Sequence, residues 1–280
     1  MKKITIGTCV PGTHLREWGK TLVDMGYERL AINFHMDLEG MDLDELAAEA
    51  RDISPISSIG FYCNALMYED HKKTLEMFID KAEKFGCGIV STFAGALEGQ
   101  SVEASMPKFK EVFGELTRRA EDRGVKIAIE NCPMGGTWRS NTCNIGFNAR
   151  AWDMMFDAVP SSALGLEWEP THQMCQLVDP IPNLRKYVSH VVHLHGKDGR
   201  VRRDILAEEG IWGPREVVVS RFPGFGQCDW REIFEILMGA GYEGNISVEG
   251  YHDFLYNGEL EMDGQRHAVN YLKWCRGMEK

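Results

Sequence analysis

Lys126-Ile127-Ala128-Ile129-Glu130-Asn131 and, after one run of helical period, Ala163-Leu164-Gly165-Leu166-Glu167-Trp168-Glu169 are two short β-rich segments. Side chains alternate across a strand, so each segment divides into two faces. In the first, Ile127 and Ile129 share one face while Ala128 and Glu130 share the other. In the second, Leu164, Leu166 and Trp168 oppose Ala163, Gly165, Glu167 and Glu169. An apolar face suits packing against helices, which leaves the carboxylates pointing inward. The same strand-then-helix unit recurs in both directions along the chain. Further strands are predicted at 4–9, 29–34, 58–64, 88–93, 190–195 and 245–250. Helices are predicted at 15–25, 44–51, 71–85, 102–122, 147–158, 181–188, 230–239 and 264–276. Eight strands alternating with eight helices imply a parallel sheet, and in 280 residues the expectation is a single (β/α)8 barrel over residues 1–280. An open doubly wound sheet is the alternative. Against it, no GxGxxG follows a strand: Gly224-Phe225-Gly226 lacks the third glycine.

Composition narrows the partners. With 44% apolar and 26% charged residues, the chain has the make-up of a globular protein rather than a disordered one. There are 42 acidic residues against 31 basic ones, a net charge of -11, which opposes nucleic acid and anionic membranes as partners. No apolar run is long enough to span a bilayer. Met1-Lys2-Lys3 leads through a short apolar run into Pro11-Gly12, which reads as a first strand and not as a signal peptide. The eight cysteines form no CxxC pair, so reduced, mostly buried thiols in the cytoplasm are expected.

Chemistry in a barrel of this kind gathers at the C-terminal ends of the strands. In the strand at 190–195, Val191, His193 and His195 face inward; in that at 245–250, Ser247 and Glu249 do. The last inward residues of four late strands are therefore Glu130, Glu169, His195 and Glu249. A barrel core tolerates three carboxylates and an imidazole poorly unless a cation resolves the repulsion. A ligand set without thiolate favours one divalent ion of the harder kind, Mn²⁺ first, with Mg²⁺, Co²⁺ or Zn²⁺ as alternatives. Glu167 lies one layer below Glu169, and His193 one layer below His195. The outer member of each pair is preferred because substrate reaches the mouth.

The same residues carry a family resemblance. The segments are Gly124 to Asn131, Leu164 to His172, His193-Leu194-His195-Gly196-Lys197-Asp198, Arg221 to Trp230, and Gly241 to Glu249. Together they resemble the sugar phosphate isomerase/epimerase-like superfamily with the xylose isomerase-type TIM barrel. That group includes ketose 3-epimerases, inosose isomerases and dehydratases, and endonuclease IV. The resemblance implies that a Glu, Asp, His, Glu metal site falls on Glu130, Glu169, His195 and Glu249. It differs at Glu169, where the family usually carries Asp. It also implies that His172 contacts substrate oxygens and that Glu130 and Glu249 exchange protons with substrate.

A metal ion at the mouth with two opposed glutamates suits proton transfer beside a carbonyl of a ketose, keto-sugar or inosose. Glu130 and Glu249 are then the catalytic residues, giving an isomerase or epimerase; loss of a β-hydroxyl would make the enzyme a dehydratase. Lys197, which follows the metal-site histidine, and Arg221, in the long connection 199–227, are the further substrate-binding candidates, beside His172. That connection reads as a lid. Trp138, Phe61 and Phe93 are candidates for an apolar wall. A nuclease is disfavoured by the scattered histidines and the acidic surface, and a non-catalytic sugar-binding protein by the intact acid-rich cluster. Oligomeric state is left open.

Overall fold

The computed structural model describes residues 4–35, 38–250 and 252–277. Eight strands close a parallel barrel: β1 (Thr5–Pro11), β2 (Arg29–Phe34), β3 (Ile56–Phe61), β4 (Ile89–Thr92), β5 (Lys126–Glu130), β6 (Leu164–Trp168), β7 (Val191–Gly196) and, last in the chain, β10 (Asn245–Val248). β10 pairs with both β7 and β1, which closes the ring and leaves no barrel strand with a free edge. The (β/α)8 expectation therefore holds, and the open sheet is excluded.

Helices α1 (Leu15–Asp24), α2 (Leu43–Ile53), α3 (Glu69–Phe85), α4 (Val102–Arg123), α5 (Ala149–Ala158), α7 (Pro180–Tyr187), α9 (Trp230–Gly239) and α10 (Glu261–Cys275) follow the barrel strands, with the short α6 (Pro170–Met174) directly after β6. Their ends are set by local chemistry. Asp42, Ser101, Asn148, Asp179 and Asp229 accept hydrogen bonds from first-turn backbone N–H groups that would otherwise be unpaired. Gly86 and Gly124 end α3 and α4 at φ 69° and 65°, where a side chain would be strained. Between the helices and the sheet lies the apolar core, which takes in Ile127, Ile129, Leu164, Leu166, Trp168, Leu194, Ile246 and Val248. These are the strand residues assigned outward by alternation.

The connection 199–227 is not an open loop. Asp198–Val201 (β8) and Val218–Arg221 (β9) form an antiparallel ribbon, with helix α8 (Arg203–Glu209) at its far end. The carboxylate of Asp198 anchors it, accepting hydrogen bonds from the backbone N–H groups of Gly199, Gln227 and Cys228 at 2.8–2.9 Å and from Trp230 Nε1 at 3.3 Å. A Cβ at Gly226 would lie 2.1 Å from the same carboxylate, so that position requires glycine. The strand-to-helix pattern did not signal the ribbon because its two strands pair antiparallel with each other, outside the repeat that builds the barrel.

At the start of α10, Glu261 is buried, and its Oε2 has no hydrogen-bond partner. Burial pushes its carboxyl up from 4.5 to about 7. Because the folded state holds the proton more tightly, the contribution of Glu261 to stability is fully present below pH 4.5 and is lost as pH rises through about 7. Glu261→Gln keeps the shape without the charge. The variant should match the wild type near pH 4.5 and exceed it by roughly 2–3 kcal/mol at about pH 8, measured by urea unfolding across pH. A difference that does not change with pH would show that Glu261 is not the titrating group.

Candidate functional site

The inward residues of the late strands converge at the C-terminal mouth of the barrel. Strand tilt staggers hydrogen-bonded neighbours along the axis, so residues paired in register do not share a layer. Glu130 pairs with Glu167, and His195 with Ser247. In each case the side-chain contacts fall one step away. Glu130 Oε1 lies 2.9 Å from His195 Nδ1, and His193 Nε2 lies 3.0 Å from Ser247 Oγ. Two layers result, and the stagger decides which residues of neighbouring strands meet in each.

The upper layer is Glu130, Glu169, His195 and Glu249, whose ligand atoms lie within 4.8 Å of one another. His195 Nδ1 is 2.9 Å from Glu130, 3.2 Å from Glu249 and 3.4 Å from Glu169. All four are buried. Both oxygens of Glu169 are buried without a hydrogen-bond partner; the nearest basic nitrogens are His172 Nε2 at 3.2 Å, His195 Nδ1 at 3.4 Å and Lys197 Nζ at 3.6 Å. A fully buried carboxylate that accepts no hydrogen bond is costly unless something else binds its lone pairs. With two further carboxylates and an imidazole facing it, the donor set fits a divalent ion of the Mn²⁺, Mg²⁺ or Co²⁺ kind.

The lower layer is different. Glu167 Oε1 accepts from Ser91 Oγ at 2.6 Å and from His193 Nδ1 at 2.5 Å, and its Oε2 accepts from Tyr62 OH at 2.8 Å. The carboxylate already has three donors. Of the two inward glutamates, therefore, Glu169, which directly follows β6, has no hydrogen-bond partner on either oxygen, and Glu167 has three.

The electrostatics follow from burial set against neighbouring charge. Burial raises the carboxyl of Glu130. Burial also works on Glu249, but the ammonium of Lys197 and the imidazole of His195 outweigh it and hold Glu249 well below the usual range. Glu169 is lowered for the same reason, burial being outweighed by His172 and Lys197.

A cavity of about 480 Å³ opens above this floor. Glu130, Glu249, His172 and Lys197 line it, with Tyr62 and Phe93 on one wall and ribbon residues Glu216 and Val218 on another. Lys197 is buried and donates to Glu249 Oε2 at 2.8 Å. His172 Nε2 lies 3.2 Å from Glu169 and 3.8 Å from Glu130. Arg221 is placed elsewhere. Its Nε donates to Asp253 at 3.0 Å, and its guanidinium lies over the rings of Phe225 and Phe254, outside the cavity lining. Of the proposed wall residues only Phe93 lines the cavity: Phe61 packs on Phe78, and Trp138 donates to Glu103. Tyr62 was not singled out, although alternation in 58–64 puts it on one face with Ser58, which meets His193 at 3.4 Å. The same face-by-face reading of the third strand would have found it. Glu216 and His252, which also lines the cavity with its Nε2 3.1 Å from Glu249, carry no such signal, because they lie in connections whose path the strand pattern does not predict.

Among curated proteins, the chain is 29% identical over 163 residues to the uncharacterized protein YfiH of Bacillus subtilis and 32% identical over 145 residues to an inosose dehydratase of Clostridium beijerinckii. These alignments cover 55% and 50% of this chain, and the chain spans about half of each relative, 48% and 45%. An inosose dehydratase of Clostridium perfringens aligns over 74% of this chain and 72% of its own length at 25% identity. Among solved structures, 3-keto-D-glucoside 4-epimerase YcjR from E. coli superposes with a TM-score of 0.73 over 98% of this chain and 100% of its own, at 15% identity. An L-ribulose 3-epimerase gives 0.71 over 98% and 96%, at 16% identity. Those structural likenesses establish the barrel architecture. Among the described residues, no helix is long and apolar enough to cross a membrane. The family profile matches residues 13–274, nearly the whole barrel together with the ribbon, and the chain belongs to the xylose isomerase-like TIM barrel family.

Proposed function

We propose that this protein is a divalent-metal-dependent sugar isomerase or epimerase that transfers a proton at the carbon beside the carbonyl of a ketose, keto-sugar or inosose. The observation that carries the reading is the convergence of Glu130, Glu169, His195 and Glu249 around the unpaired oxygens of Glu169, at the floor of a cavity large enough for a monosaccharide. A cation held by these four residues, with Mn²⁺ the first candidate, would supply Lewis-acid stabilisation of the negative charge that develops on the substrate's oxygens. Glu249 accepts the α-proton on one side of the cavity, and Glu130 returns a proton from the other. The ammonium of Lys197 and the imidazole of His172 bind substrate hydroxyls. Tyr62 and Phe93, with ring centroids 5.3 Å apart, exclude water from one wall. Arg221 has no direct part in this reading; held by Asp253, it supports the ribbon that covers the mouth. The eight cysteines, none in a disulfide, suit a reducing compartment such as the cytoplasm. The acidic net charge suits a neutral small molecule as partner better than nucleic acid.

Two observations favour a second reading, dehydration of a keto-cyclitol. Several curated relatives are inosose dehydratases, and Lys197 places an acid in the cavity beside Glu249. In that reaction a glutamate takes the α-proton, the C–O bond at the β-carbon breaks, and the departing hydroxide takes a proton from Lys197 to leave as water. Incubating Mn²⁺-loaded protein with a panel of ketoses and inososes in D₂O separates the outcomes. Deuterium at the α-carbon of an epimer or positional isomer supports the first reading; an unsaturated ketone and its ultraviolet absorbance support the second. Protein that carries its metal but exchanges no α-proton of any panel member would overturn both.

A further inference from the structure

The lower layer beneath the metal site contains a carboxylate that the proposed mechanism does not use. We propose that Glu167 is a positioning residue for His195: it holds the Nε2–H of that imidazole and so leaves the Nδ1 lone pair aimed at Glu130, Glu169 and Glu249. The assignment rests on the metal reading above and adds a residue to it.

The two nitrogens of His195 face different surroundings. Nδ1 faces carboxylate oxygens at 2.9, 3.2 and 3.4 Å. Nε2 has Glu167 Oε1 at 3.3 Å and Tyr62 OH at 3.3 Å. Tyr62 donates its own proton to Glu167 Oε2, so its oxygen is left as an acceptor for Nε2–H. Both groups beside Nε2 are thus acceptors. Nδ1 also faces acceptors, so without a cation the ring can donate from both nitrogens; a cation that takes the Nδ1 lone pair leaves the proton on Nε2, between Glu167 and Tyr62. The opposite tautomer would point a lone pair at a carboxylate oxygen and a phenolic oxygen, and would turn an N–H toward the position a cation needs.

Glu167 is itself held from three sides. Ser91 comes from β4, Tyr62 from the end of β3 and His193 from β7, and these contacts cross the barrel interior. Because His193 gives its Nδ1 proton to Glu167, its Nε2 is left to face the hydroxyls of Ser247 at 3.0 Å and Ser58 at 3.4 Å. A carboxylate locked in this way has little freedom to follow His195 if the ring turns, so it restrains the ring. Ligand histidines whose second nitrogen is fixed by a carboxylate bind metal more tightly, and losing that partner typically weakens binding by about 10–100-fold.

The test uses metal-free wild type, Glu167→Gln and Tyr62→Phe, each titrated with Mn²⁺ while free Mn²⁺ is followed by electron paramagnetic resonance. Histidine ¹⁵N shifts are recorded on the Mg²⁺-loaded proteins. The expected result is Mn²⁺ affinity lowered by about 10–100-fold in Glu167→Gln and by less in Tyr62→Phe, with His195 of the wild type protonated on Nε2 and that signal moved in Glu167→Gln. A role in packing alone would change the melting temperature without moving the His195 shifts. Glu167→Gln that binds Mn²⁺ within about twofold of wild type, or a wild-type His195 protonated on Nδ1, would overturn the assignment while leaving the metal site standing. Should Glu167→Gln not fold, Tyr62→Phe and the wild-type shifts still decide the matter. A wild type that takes up neither Mn²⁺ nor Mg²⁺ would instead remove the metal reading, and this assignment with it.

Discussion

Glu249→Gln is expected to lower kcat by about 10²–10⁴-fold on an identified substrate, the usual value of a positioned general base. The amide keeps the size of the side chain and one oxygen that can face a cation, but it cannot accept a proton at neutral pH. In the structure Glu249 reaches the cavity with Lys197 at 2.8 Å and His195 at 3.2 Å, so the carboxylate is held ionised beside the place where substrate must lie. Glu130→Gln should cause a loss of the same order if two bases share the work. The pair also reports on mechanism. In an epimerase, one variant can still exchange the α-proton with solvent from the face its remaining glutamate serves, while forming no product. The measurements are turnover and solvent deuterium incorporation in both variants, with metal content determined alongside. If both retain near wild-type turnover at unchanged metal content, the two-glutamate mechanism is wrong.

The second large effect is on the metal itself. His195→Ala should lose most bound metal, where the wild type carries about one ion per chain, because one of four protein ligands is gone. The substitution also leaves Glu130, Glu169 and Glu249 facing one another without the imidazole that lies within 3.4 Å of all three. Removing one partner from a buried charged group typically costs about 3–5 kcal/mol, so the metal-free variant should also unfold more readily. Elemental analysis after loading and desalting gives the stoichiometry, and urea unfolding the stability. Undiminished metal in His195→Ala together with undiminished metal in Glu169→Ala would mean that these residues do not form the site.

How much of this was legible in the sequence depended on the range of the interaction involved. Strand-to-helix alternation is local, and it predicted eight barrel strands close to their observed positions. Alternation of faces is local too, and it placed Ile127, Ile129, Leu166 and Val248 against the helices and Glu130, His195 and Glu249 inside. The ribbon of residues Asp198–Val201 and Val218–Arg221 left no such trace, because it is an antiparallel pair outside the strand-to-helix repeat, held by a tertiary anchor, the carboxylate of Asp198. Arg221 shows the same limit from the other side. Its position in a recognisable segment suggested contact with substrate, yet the fold supplies Asp253 as its partner from 32 residues away.

The two glutamates at the end of β6 mark the boundary most sharply. By itself the sequence determined that Glu167 and Glu169 share the inward face, because successive side chains on a strand must alternate. It favoured Glu169 as the outer member, nearer the mouth, but it did not determine the partners of either side chain, because those depend on the stagger between neighbouring strands around a closed barrel. Only the tertiary structure decided them. Glu167 lies in a layer where Ser91, Tyr62 and His193 donate to its oxygens, and Glu169, two residues further on, in one where neither oxygen has a hydrogen-bond partner. The identities of the inward residues follow from local geometry, whereas their chemical environment is set by strands that come together only when the ring closes.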